Sequence, residues 1–230
     1  MTALASRPPV IAVTGLAFEA RIAAGEGVIV IHGRDERRMI AELERAVASG
    51  ASGIVSFGTA GGLAPHLAPG DWIVAEAIVT DAQRWEADLA WSAQLLRRLP
   101  RATHAPIVSV DVPVASASAK RALRGRTSAA AADMESHITA RVAVAHGLPF
   151  VACRVIVDPA HRTLPSAALV AMRADGGVNV AALLRSLAGR PSQLPALLRL
   201  AFDARAARAA LFRGRRLLGA GLGFPDFPEL

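Results

Sequence analysis

At 230 residues and 53% hydrophobic composition the chain is long enough to bury one substantial core, yet no apolar run approaches the roughly 18–20 residues that cross a bilayer. A single cysteine, Cys153, excludes an internal disulfide framework, and the opening MTALASRPPV is too short and too weakly apolar for a secretion signal, so a cytoplasmic protein is expected. A net charge of +7 invites a nucleic-acid reading, but one lysine among 26 basic residues points to arginine-biased coding, and 4% aromatics with no tyrosine leave little surface for stacking bases, so no nucleic-acid partner is expected.

Short β-like runs alternate with helical patterns along the chain. VIAVTG (10–15) reads as a strand closing on Gly15, followed by helical AFEARIAA. GVIVIHG (27–33) is a second strand, and DERRMIAELERAVASG (35–50) a helix with an acidic start and a glycine stop. GIVSFG and GDWIVAEAIVT are further strands, RWEADLAWSAQLLRRL a helix, and APIVSV a strand. DMESHITARVAVAHG reads as a helix ending at Gly147, PFVACRVIVD as a buried strand, and SAALVAMRADGGVNVAALLRSLAG as a helix interrupted at Gly176-Gly177. The alternation predicts an α/β fold, a single domain with a central mixed twisted sheet flanked by helices, over residues 1–190. A basic helical extension is expected over 191–230.

In such sheets ligands gather at the carboxyl ends of strands. Glycine or acid residues fall at six of these ends: Gly15 to Glu19, Gly33-Arg34, Gly58 to Gly62, Asp111 to Val114, Asp133 to Ser136, and Asp158. The stretch SFGTAGGLAPHLAPGD reads either as two tight turns or as a backbone cradle for oxygen atoms, since glycine lets main-chain N–H groups approach closely. GTAGG is neither G-x-G-x-x-G nor a P-loop, no G-x-S-x-G elbow is present, and the six histidines lack metal-ligand spacing, so no metal and no nucleotide cofactor are expected.

FGTAGGLAP, then LAPGDWIVAE, then ADMES before a helix, then CRVIVD, resembles the nucleoside phosphorylase and nucleosidase superfamily over about residues 10–190. That superfamily includes the methylthioadenosine/S-adenosylhomocysteine nucleosidases and small purine nucleoside phosphorylases. The TGLAFEARIA opening and the arginine-rich tail are most similar to the hopanoid-associated phosphorylases, proposed to remove adenine from adenosylhopane. The resemblance implies cleavage of an N-ribosidic bond, no cofactor beyond phosphate as a possible co-substrate, and a homo-oligomer, a dimer, whose neighbouring subunit closes part of the 5′ side of the sugar pocket. A small-substrate methylthioadenosine nucleosidase, a general purine nucleoside phosphorylase and a non-catalytic nucleoside-binding protein stay open as alternatives.

Residue by residue, the resemblance makes Asp158 the general acid, Glu135 the acceptor for the ribose hydroxyls, and Met134 a packing group beside the sugar. Gly58, Thr59, Ala60 and Gly61 become contacts to sugar or nucleophile, while Gly62 and Gly70 read as turn formers. Arg154 matches a buttressing arginine, with Glu135 or Asp158 as candidate partners. Glu19 falls where nucleosidases carry a water-activating glutamate and phosphorylases a phosphate-binding arginine; that favours hydrolysis, while Arg21, Arg34 and Gly58 keep phosphate binding open. One departure is Pro113, where the family pattern places a phenylalanine stacked on the purine, beside Val114 with its backbone hydrogen bonds. In the tail, Leu197, Leu200, Ala204, Ala207, Leu211 and Leu218 form one helical stripe and Leu198, Phe202 and Phe212 another among six arginines, which fits either a packed or oligomeric helix or one resting peripherally on an anionic membrane.

Overall fold

Alternation along the first strand separates two layers. In β1 (Val10–Thr14), Val10 and Ala12 face one side and Ile11 and Val13 the other, and all four are fully buried. The computed structural model describes residues 7–33, 35–99, 101–171, 177 and 179–225. After β1 come α1 (Ala17–Ala23), β2 (Val28–His32), α2 (Glu36–Ala48), β3 (Gly53–Gly62) and β4 (Trp72–Val79). These are followed by β5 (Arg84–Glu86), α3 (Leu89–Arg98), β6 (Thr103–Ser109), α4 (Ala117–Thr127) and β7 (Ala131–Asp133). The chain continues through α5 (Ser136–Ala145), β8 (Phe150–Asp158), α6 (Ser166–Ala171), α7 (Val180–Gly189) and the 25-residue α8 (Leu194–Leu218).

The sheet is mixed, with order β2-β1-β3-β7-β6-β4-β5 and β8 pairing both β3 and β4. Five strands therefore close a ring, β3-β7-β6-β4-β8, which the strand signals in the sequence do not reveal. One layer packs Met39 and Leu43 of α2 and Ile138 and Val142 of α5 against Ile54, Ile73, Ala152 and Ile156. The other packs Trp91 and Leu95 of α3 and Ala207, Leu211 and Leu218 of α8 against Val55, Phe57, Val74 and Val155. Helix α8 comes close because Gly214 lies on the Trp72 ring, where any side chain would collide. The chain after α8 returns Leu222 and Phe224 to Trp91, whose indole N–H donates to the Leu222 carbonyl at 3.1 Å.

Three elements escape the sequence reading. Strands β5 and β7 are only three residues long, and β5 occupies the RWE expected to begin a helix. Helix α4 has no apolar stripe; it is defined by its ends, with Ser116 accepting from the Ala119 N–H at 3.1 Å and Ser128 in the left-handed region at φ 57°. Two expectations are corrected. GTAGG is not a turn but the end of β3, so Gly62 is no turn former: it pairs with Ala131, and a side chain on it would press on Ile156 and the Asp158 carbonyl. Helix α5 starts at Ser136, leaving Asp133 to Glu135 ahead of it. Gly70, by contrast, holds φ +97° in a turn and donates its N–H to the Ile156 carbonyl at 2.9 Å. The helix interruption expected at Gly176-Gly177 falls partly outside the described residues, between α6 and α7.

Candidate active site

Strand β8 carries two of the candidate site residues, four positions apart. Arg154 is wholly buried, and Asp158 ends the strand at 5% exposure beside Gly61 of β3. A parallel register sets Arg154 against Gly58, and a shift between Ala60 and Gly61 brings Gly61 level with Asp158. Gly58 holds φ +153°, and a Cβ there would stand 2.7 Å from Glu19 Oε2 and 2.9 Å from Arg154 Nη1. The glycine clears space for a carboxylate and a guanidinium behind the strand, and it is not part of the cavity lining.

Glu19, in the first turn of α1, is 1% exposed and holds four donors: the N–H groups of Gly15 at 3.1 Å and Leu16 at 3.0 Å, and the Thr59 N–H at 2.8 Å and hydroxyl at 2.6 Å. Burial pushes its carboxyl above the ordinary value, while Arg154 and the Thr59 donors pull it back. The Thr59 hydroxyl is thus spent on Glu19. Arg154 pairs with Asp133 at 2.7 Å and Glu135 at 3.2 Å, not with Asp158, because its side chain leaves β8 toward the start of α5. Burial opposes the Arg154 charge, and Asp133, Glu135 and Glu19 more than offset it. Asp133 was read in the sequence only as one of the strand-end acids, with no role; it also accepts from the Ser136 hydroxyl, at the head of the helix that follows.

Asp158 faces a different cation. Lys120 of α4, 1% exposed, places its ammonium on Asp158 Oδ2 and donates to the Pro159 carbonyl at 3.0 Å. Burial raises the Asp158 carboxyl, Lys120 lowers it, Asp203 of α8 raises it and Arg162 lowers it. Sequence reasoning missed Lys120 because α4 was missed. The available signal was a lone lysine in an arginine-rich chain.

These groups line a cavity of about 510 Å³. Its polar end holds Glu19, Thr59, Gly61, Lys120, Asp133, Met134, Glu135 and Asp158, and Pro113 and Val114 form one apolar wall beside Val110 and Leu63. The outer wall is apolar and comes from α6, α7 and α8 through residues such as Leu169, Leu183, Leu197 and Leu200. The expected tail stripe therefore splits: Ala207, Leu211 and Leu218 enter the core, and Leu197, Leu200 and Ala204 line the cavity. The lone acid of α8, Asp203, pairs with Arg162 at 2.7 Å and ties this half of the helix down beyond β8. Arg21 is not brought to the cavity. It lies in an open groove with Phe18, Arg205, Arg208, Phe212 and Arg216, between α1 and α8. Arg34 lies outside the described residues. Among the described residues no group of three or more His, Cys, Asp or Glu side chains is placed to hold a metal ion, and no helix is long and apolar enough to cross a membrane.

A buried acid beside a cation, a carboxylate held by four donors and a further carboxylate on a buried arginine make a cavity suited to proton transfer and to a hydroxyl-bearing ligand. The fold has close parallels. The 5′-methylthioadenosine/S-adenosylhomocysteine nucleosidase from Helicobacter pylori superimposes with a TM-score of 0.66 at 16% identity, over 93% of this chain and 97% of that one. Futalosine hydrolase of Helicobacter pylori gives 0.61 at 16% identity, over 91% and 97%. S-adenosylhomocysteine nucleosidase from Streptococcus pyogenes, in complex with 5-methylthiotubericidin, gives 0.59 at 19% identity, over 68% and 86%. No curated protein matches the chain. The family model described as the phosphorylase superfamily matches residues 2–188, so the chain belongs to the phosphorylase superfamily and is an enzyme of the nucleosidase or nucleoside phosphorylase kind.

Proposed function

We propose that the protein cleaves the N-ribosidic bond of a 5′-substituted adenosine and releases adenine, with water as the nucleophile. The observation that carries this reading is the convergence of Glu19, Glu135 and Asp158 on one cavity. Asp158 protonates the leaving base at N7, and Glu135 accepts from the ribose hydroxyls. Glu19 takes the proton of the attacking water, with Thr59 and Gly61 beside it. Met134 packs on the sugar, Pro113 and Val114 border the base, and Arg154 holds Glu135 in place. Hydrolysis is favoured over phosphorolysis by the carboxylate at Glu19 and by the distance of Arg21 from the cavity, since an enclosed carboxylate repels phosphate.

The apolar outer wall, together with the resemblance of the opening and the tail, supports a large hydrocarbon 5′ group, adenosylhopane in hopanoid side-chain synthesis. A methylthioadenosine nucleosidase is the alternative, on the strength of the structural neighbours. Both are tested by chromatography of the products from 5′-methylthioadenosine and its longer 5′-alkylthio homologues, with and without phosphate. Free adenine and free sugar are expected under both conditions. With each added methylene kcat/KM should rise about threefold to fourfold, the factor that about 0.8 kcal/mol of buried methylene represents. A sugar 1-phosphate formed only with phosphate present assigns phosphorolysis; a flat chain-length series assigns the small substrate.

A peripheral contact with anionic membrane and a homodimer belong to the same proposal. Leu198, Phe202 and Phe212 stand 53%, 70% and 55% exposed on α8, among arginines and next to the cavity wall, as a helix resting on an anionic surface requires. Because Leu211 and Leu218 sit in the core, removing the tail would disturb the fold, and the informative variant is Leu198→Ser with Phe202→Ser and Phe212→Ser. The full chain is expected to co-sediment with phosphatidylglycerol vesicles at low salt and to come off at about 1 M, where the screening length is about 3 Å. The triple variant should stay in solution. Equal binding by both would remove this face from the membrane contact, and a dimer in ultracentrifugation that the triple variant loses would make it a protein contact instead.

A further inference from the structure

The sequence contains one lysine and 25 arginines, and the lysine is at position 120. The neighbouring basic positions of α4 are Arg121, Arg124 and Arg126, none of them buried, whereas Lys120 is 1% exposed and lines the cavity. Its ammonium meets three acceptors, Asp158 Oδ2, the Pro159 carbonyl at 3.0 Å and the Asp158 carbonyl at 3.5 Å, which match its three N–H donors. An arginine would supply charge as well as a lysine does, but it cannot release a proton in a protein. A chain that uses arginine at every other basic position has at this one the cation that can.

We propose that Lys120 is the positioning residue for Asp158 and holds the proton that Asp158 passes to the leaving base. This rests on Asp158 being the general acid. One transferable proton lies between the amine and the carboxylate. As the C1′–N bond breaks and its electron pair passes to the base, the Asp158 O–H proton goes to the base nitrogen. That proton reaches Asp158 from Lys120 Nζ, so the step leaves Asp158 a carboxylate and Lys120 a neutral amine. Water adds at C1′ and gives its proton to Glu19; exchange with solvent then returns a proton to the pair and removes one from Glu19. The charged groups facing Asp158 are Lys120 from α4, Arg162 from the segment after β8 and Asp203 from α8. Arg162 and Asp203 form their own pair and so leave Lys120 as the donor in contact.

The test compares wild type, Lys120→Arg and Lys120→Met in adenine release from 5′-methylthioadenosine across pH, with thermal melting to confirm folding. In Lys120→Arg the charge stays but the proton cannot leave, and kcat should fall about 100-fold at every pH, within the range general-acid catalysis contributes. In Lys120→Met, Asp158 must carry its own proton, so activity should survive at low pH, with the falling limb of kcat displaced by at least about one pH unit to the acid side. Lys120→Arg within threefold of wild type, with the same falling limb, would show that only the charge matters and would sink the proposal. A second readout does not need turnover: labelling lysine with ¹⁵N at Nζ gives one side-chain resonance, whose chemical shift should change in Asp158→Asn. An unchanged shift would overturn the shared proton. If wild type releases no adenine while the resonance does respond to Asp158→Asn, the fault lies in the proposed reaction and the pair stands.

Discussion

Asp158→Asn is expected to lower turnover by about 10²- to 10⁴-fold, the contribution of a general acid, with the substitution leaving side-chain shape almost unchanged. Asp158 closes the cavity at the end of β8, where burial raises its carboxyl above the ordinary value against the opposing pull of Lys120. The amide keeps the hydrogen-bonding outline but cannot give a proton, and it leaves Lys120 facing a neutral group at 1% exposure. Some loss of melting temperature is expected as well, and turnover is therefore to be normalised to folded protein. Single-turnover adenine release measures the effect; a rate within threefold of wild type would remove Asp158 from the reaction.

The largest stability effect is expected at Arg154. Its guanidinium is wholly buried between Asp133 at 2.7 Å and Glu135 at 3.2 Å, with Glu19 close enough to raise its pKa further. Arg154→Met would leave these carboxylates without a buried cation, and breaking such a pair costs about 3–5 kcal/mol. In a chain of this size that corresponds to a fall of roughly 10 °C in melting temperature. The loss should depend on pH in a definite sense. Unpaired buried carboxylates bind protons in the folded state at pH values where the unfolded chain has released them, so the variant loses stability as pH rises. Calorimetry at about pH 5 and about pH 8 should give the smaller deficit at the lower value. A deficit independent of pH would mean that packing, not charge, is what Arg154 provides.

Much of this was readable in the residues, for identifiable reasons. Strands such as FVACRVIVD and helices such as DERRMIAELERAVASG announce themselves by run length and by their caps, and Asp158 and Glu135 stand at strand ends where α/β sheets collect ligands. What stayed hidden depends on pairing across the chain. The ring of five strands exists because β8 bonds to β3 and β4 at once, and nothing local in PFVACRVIVD reports two partners. Of the two acids offered to Arg154, Glu135 is a partner and Asp158 is not, and the second partner stayed hidden for the same reason: Asp133 lies 21 positions away in a three-residue strand with no periodicity of its own. GTAGG misled as a turn because its glycines serve neighbouring side chains, Glu19 and Arg154 behind Gly58 and Ile156 beside Gly62, rather than a bend of the chain.

The position of β8 between two partners has a bearing on how copies of this chain meet one another. β8, the strand that carries Arg154 and Asp158, is paired with β3 along its length and with β4 at Cys153 to Val155, so its middle offers no free edge for another chain to zip onto. The terminal strands of the sheet order are β2 and β5. Strand β5 is blunted by its brevity and by charge, with Arg84 and Glu86 paired on it at 2.6 Å. Strand β2, Val28–His32, is apolar over four of its five residues, and the returning C-terminal turn packs beside it, with the Gly221 N–H on the Glu26 carbonyl at 3.3 Å. Among the described residues the less guarded edge of the sheet is therefore that of β2, on the side away from β8.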